Sequence, residues 1–177
     1  MRLDPATRRG LIIDAAEQVL AQHDPLLVTF DQVAAVAGVS RALVHTYLGD
    51  RRGLIDAVQV RIVGRLDTWV GHGLHRAVDA DEVLRALAGG LFAFVADEHE
   101  AWNVLVASGG LDHPALHGVR SRWAGRLAGE PLADEPPAGQ VPAQAVVAAL
   151  LFGVGGWVNR GIEPAEVIDT LRRALQP

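Results

Sequence analysis

The chain contains no cysteine and no lysine, and these two absences exclude more chemistry than any single motif suggests. Without cysteine there is no disulfide, no thiolate nucleophile and no zinc–thiolate site. Without lysine there is no Schiff base, and no phosphate loop of the kind whose lysine reaches the phosphates. Serine is scarce too, at three residues, and no Ser-His-Asp or paired-carboxylate pattern stands at recognisable spacing. An enzyme is therefore disfavoured, and no catalytic residue or cofactor is assigned. Aromatic residues make up 5% of the 177, so Ala, Val and Leu must do most of the packing in a chain that is half apolar. The N-terminus, MRLDPATRRG, lacks the apolar core of a signal peptide, which points to the cytoplasm.

What is present is unevenly distributed. The net charge of −5 divides into a nearly neutral first part and an acidic remainder: residues 1–65 carry eight Arg against seven acids, residues 66–177 eight against fourteen. The most informative stretch lies in the neutral part, Val28 to Leu54, VTFDQVAAVAGVSRALVHTYLGDRRGL. Thr29 stands three residues before Gln32, the spacing of a capping box that starts a helix at Phe30. Gly38 ends that helix, because glycine takes the left-handed conformation without steric cost. Ser40 caps a second helix running to Tyr47 or Leu48. Ala34, Gly38 and Val44 thus fall where a helix-turn-helix requires a small residue, a glycine and an apolar residue.

In that geometry the start of the second helix enters the major groove of DNA. Arg41, Ala42, Leu43, His45, Thr46 and Tyr47 are its polar or protruding positions. Arg41 suits a guanine edge, whose two acceptors match its fork. Leu43 suits either a thymine methyl or the core. His45 and Tyr47 suit phosphates, and Ser40, Thr29 and Arg51 stand at helix N-termini, where amides and dipole favour an anion. Local arginine placement, rather than bulk charge, has to attract the DNA.

This segment resembles the N-terminal domain of the TetR family of bacterial transcriptional regulators. The resemblance runs from Arg9 through LIIDAAEQVLAQ, Thr29, VAAVAGVSR and LGDRRGL. His45 takes the family's usual tyrosine place, Tyr47 its histidine place, and Arg51 stands for the lysine that opens helix four. The resemblance implies an all-α homodimer with a DNA-binding head at residues 1–50 and an effector-binding, dimerising body at residues 51–177. It implies a regulator, read as a repressor released from a palindromic operator by a small apolar or aromatic effector. A helical interaction protein with a degenerate head and, less favoured, a small-molecule enzyme are the other classes.

The body reads as successive helices. Asp4-Pro5 opens the first, Gly49-Asp50 a long fourth and Asp79 or Asp81 a fifth. Trp102, Leu105 and Val106 mark a short sixth, and Pro114 begins a seventh that runs to about Leu127. Residues 129–142, rich in Pro, Gly and acids, read as a loop. Two last helices span about 143–159 and 164–175. In the first of these, residues 143–158 hold one polar residue, Gln144. The run is short for a membrane span and its glycines do not fit a dinucleotide fingerprint, so it reads as a buried helix rather than a membrane segment. By resemblance it is the dimerising helix, with Val147, Leu150, Leu151, Val154 and Trp157 in a four-helix seam. Also by resemblance, Phe94, Trp102, Val106 and Trp123 line the effector cavity, with His99, Asn103 and Ser108 nearby as polar groups. His72/His75 and His113/His117 are spaced to share helix faces, but solvated or capping roles are favoured and no metal is assigned.

Overall fold

Most helix starts in this chain are set by side chains that accept from freed backbone amides. In the computed structural model, which describes residues 4–129 and 141–175, Asp4 accepts from the amides of Ala6 and Thr7 and opens α1 (Pro5–Gln22). The Thr7 hydroxyl and amide hold the Asp4 carboxyl below the usual carboxylate range. Thr29 and Gln32 form a complete capping box on α2 (Phe30–Ala37), which Gly38 ends at φ 64°, in the left-handed region. Ser40 caps α3 (Arg41–Leu48) by accepting from the Leu43 amide, and Asp50 caps α4 (Arg51–Leu74) by accepting from Gly53. Asp79, rather than Asp81, caps α5 (Ala80–Asp97). After α6 (His99–Ala107) and a 3₁₀ turn at Gly110–Asp112, His113 caps α7 (Pro114–Leu127) through its ring. α8 (Val141–Val158) and α9 (Pro164–Leu175) complete an all-helical fold. Of the expected loop, residues 130–140 lie outside the described residues. α8 begins two residues earlier than its composition suggests, because Pro142 sits in the first turn, where a missing amide hydrogen breaks no bond.

The head is α1 to α3 packed on the start of α4. Ile12, Ile13, Ala15, Ala16, Val19 and Leu20 of α1 cover Val33 and Ala34 of α2 and Val44 and Leu48 of α3. In the body α5 is central, packed against α4, α7, α8 and α9. Its approach to α4 needs a glycine: a Cβ on Gly90 would lie 2.9 Å from the Val70 Cα. Two glycines of α8 serve aromatic rings. A Cβ on Gly155 would meet the Trp102 indole at 2.7 Å, and one on Gly153 would meet Trp157, whose ring stacks on Phe92 at 6.1 Å. Among the described residues no helix is long and apolar enough to cross a membrane.

One expectation fails at α8. Val147, Leu150, Leu151 and Val154 are buried within this single chain, in the core that α8 builds with α5 and α7, so they offer no surface to a second copy. Trp157 is half-buried. The outward face is a different stripe of the same helix, Ala145, Ala149, Phe152 and Gly156, at helical spacing. Phe152 is 61% exposed there.

Candidate nucleic-acid interface and effector groove

The turn at Gly38 brings α3 across α2 with Ala34 and Val44 buried between them. That packing leaves Arg41, Ala42, His45 and Thr46 exposed on one side of α3, with Ser40 at its start. Leu43 and Tyr47 are half-buried and packed against the core, so the core role takes most of Leu43. The ring of His45 meets Phe30 edge-on at 5.0 Å, and the Thr46 hydroxyl donates to the Ala42 carbonyl at 2.9 Å.

Two arginines have partners that sequence reading missed. Arg41 is paired with Asp31 of α2 at 3.1 Å, both side chains largely exposed. A pair of this kind contributes about 0–1 kcal/mol, so a base edge can displace the carboxylate at little cost. Arg51 donates to the carbonyl of Leu26 in the α1–α2 loop. The helix ends are also partly closed: Thr29 accepts from the Gln32 amide at 3.3 Å, and Asp50 from the Gly53 amide at 2.8 Å. The amides of Phe30, Asp31, Arg51 and Arg52 precede those capped positions, where the intrahelical ladder supplies no acceptor.

α4 carries the head and is fastened to the body. The buried Gln59 amide donates to the Ser108 carbonyl at 2.8 Å and hydroxyl oxygen at 2.9 Å, at the end of α6. One turn earlier, Asp56 lies 2.9 Å from His113 Nε2. His113 Nδ1 accepts from the Ala115 amide, which leaves Nε2 as the donor to Asp56. On the other side Arg65 bridges Glu17 of α1 and Glu98 beyond α5, and Arg61 pairs with Asp14. Partial burial opposes the charge on Arg65, but the bond to Glu17 and the charges of Glu17, Glu98 and Asp14 outweigh it and raise the guanidinium pKa.

The four residues expected around an effector lie in different surroundings. Phe94 and Trp102 are buried in the core, Phe94 edge-on to Trp69 at 6.2 Å. Val106 is 45% exposed on the outer side of α6. Trp123 borders a groove of about 390 Å³ between α4 and α7, with Asp67, Gly71, Leu74, His75, Arg122 and Arg126. His99 and Asn103 line a separate groove beside the end of α1, and Ser108 is taken by Gln59. Among the described residues no three His, Asp or Glu side chains gather closely enough to hold a metal ion.

Comparison with known proteins converges on this head. Residues 12–58 match the model of the bacterial regulatory proteins of the tetR family. The HTH-type transcriptional regulator BetI of Klebsiella pneumoniae is 36% identical over 95 residues, covering 51% of this chain and 47% of the relative. BetI of Rhizobium meliloti is 38% identical over 64 residues, covering 36% of this chain and 31% of the relative. The chain thus spans about half, or less, of the curated relatives it matches. The fold extends further. The fatty acid degradation regulator FadR of Bacillus halodurans superposes with a TM-score of 0.74 over 99% of both chains at 19% identity. FadR of Bacillus subtilis, solved with stearoyl-CoA, gives 0.68 over 92% of this chain and 96% of that one at 17% identity. The multidrug binding protein EbrR, solved with imidazole, gives 0.66 over 96% of both chains at 22% identity.

Proposed function

We propose that this chain, whose residues 12–58 match the model of the bacterial regulatory proteins of the tetR family, is a homodimeric operator-binding transcriptional regulator whose DNA affinity is set by a small effector. The observation that carries this is the exposed face of α3. Arg41, Ala42, His45 and Thr46 project from a helix held by a glycine turn and two side-chain caps. Arg41 reads a base after releasing Asp31, while Arg51, Thr29 and Tyr47 position the head on phosphates. Two such heads related by a two-fold axis reach successive major-groove faces when their reading helices lie ~34–36 Å apart. The outward face of α8, with Phe152 at its centre, is the surface that a second copy covers.

Effector control follows from the fastening of α4. Its head-proximal half is held at Asp56 and Gln59 to the turn between α6 and α7. An effector that favours another arrangement of α6 and α7 therefore favours another placement of the heads, and the operator is released by population shift. Solved neighbours of this fold hold stearoyl-CoA in one case and imidazole in another, which supports a ligand-taking body without naming the ligand. Release makes the protein a repressor. The test is a gel shift on the promoter DNA adjoining its own gene. A sequence-specific complex that weakens steeply with salt is expected, whereas indifference to DNA in the folded protein would favour a helical interaction protein.

A further inference from the structure

α7 concentrates positive charge in the body without an acid to offset it. Its sequence, PALHGVRSRWAGRL, holds Arg120, Arg122 and Arg126 and no acid, within a body whose acids outnumber its arginines. Arg122 and Arg126 are one turn apart and both line the groove against α4. α4 presents a single acid there, Asp67, whose carboxylate accepts from Arg122 and from the Trp123 indole at 3.1 Å. Arg126 has no carboxylate partner among the described residues. One of its terminal nitrogens donates to the Leu74 and Ala77 carbonyls, both at 3.0 Å, which fixes the guanidinium at the end of α4. The carbonyl end of that helix carries about half a negative charge and offsets only part of the cation.

The groove therefore pairs a fixed, under-neutralised guanidinium couple with apolar walls from Leu74 and Trp123, and Gly71 leaves its floor without a side chain. A volume of about 390 Å³ admits a small ligand. We propose that this groove binds an amphipathic carboxylate: Arg126 and Arg122 take the head group, and the aromatic or apolar remainder lies along Leu74, Trp123 and Gly71. Guanidinium is the group that recognises a carboxylate in a fork, and here one terminal nitrogen of each arginine is already held by a bond within the protein, which orients the group before a ligand arrives. That this ligand is the effector rests on the ligand-responsive function proposed above. It refines the sequence expectation of an apolar or aromatic ligand held by polar groups by giving the polar end a sign.

The test is calorimetric titration of the protein with 2-naphthoate and with its neutral isostere 2-naphthamide. Binding of naphthoate at least tenfold tighter than the amide is expected. Arg126→Gln and Arg122→Gln should each erase most of that preference, and Gly71→Leu should abolish binding of both compounds by filling the groove. Circular dichroism checks each fold. If Arg126→Gln does not fold, Arg122→Gln and Gly71→Leu carry the test. Equal affinity for acid and amide, no binding at millimolar concentration, or unchanged naphthoate binding in Gly71→Leu would each overturn the site. Operator release is read separately on the same samples. Naphthoate that binds with the expected variant pattern but leaves DNA bound supports the site and contradicts the regulatory role.

Discussion

Truncating Phe152 to alanine should split the dimer while leaving the protomer folded. In the single chain this side chain is 61% exposed on the outward face of α8. A phenylalanine buries of the order of 150–250 Å² when fully covered, so covering the exposed part removes ~120 Å² from water. At ~25 cal/mol per Å² that is about 3 kcal/mol, of which alanine forfeits ~2 kcal/mol. A two-fold axis counts the loss twice, and ~4 kcal/mol corresponds to roughly a thousandfold rise in the dimer dissociation constant. Leu150→Ala makes the contrast, because Leu150 is 0% exposed within its own protomer. Its truncation should cost about 2–5 kcal/mol of fold stability, seen as a lower Tm. Sedimentation equilibrium from nanomolar to micromolar protein separates the two effects. A wild type that stays monomeric, or a Phe152→Ala dimer as tight as wild type, would refute the assignment of this face.

Other perturbations separate reading, positioning and transmission. Arg41→Ala should lose base preference at one operator position, by ~1–3 kcal/mol, whereas Arg51→Ala should weaken all sequences alike and reduce the salt slope by about one; competition shifts at several salt concentrations distinguish them. Gly38→Ala places a side chain at φ 64° and should destabilise the head by more than ~1 kcal/mol, read by thermal melting. Gln59→Ala leaves the Ser108 carbonyl without its α4 donor and should lower stability by about 1–3 kcal/mol. The same variant should blunt effector-driven release while operator binding persists, which paired shift and titration assays measure.

The helix boundaries were largely legible in the sequence because caps are local. Asp4, Thr29, Ser40, Asp50 and Asp79 each stand within three residues of the amides they accept from, and Gly38 ends α2 where only local backbone sterics decide. The face of α8 was not legible. With Gln144 the one polar residue in 143–158, no polar side marks which way the helix turns, and only packing against α5 and α7 decides it. The surroundings of Phe94 and Trp102 were not legible for a related reason: aromatic residues on successive helices say nothing of whether their rings converge on a cavity or fill the core, where these two are buried. Asp31 and Arg41 are ten residues apart across a turn, and Asp67 and Arg122 fifty-five apart, so both pairs follow from helix crossing. One signal for the groove was nonetheless present, in a helix with three arginines and no acid.

Selection of DNA from a random pool, followed by sequencing, tests the central claim most directly. A two-fold dimer reading DNA through Arg41 and its neighbours on α3 predicts an enriched inverted repeat, its half-site centres about one helical turn apart. Arg41→Ala should relax the same base in both halves. Enrichment of no sequence, or of a single half-site without a repeat, by folded wild-type protein at low salt would contradict it.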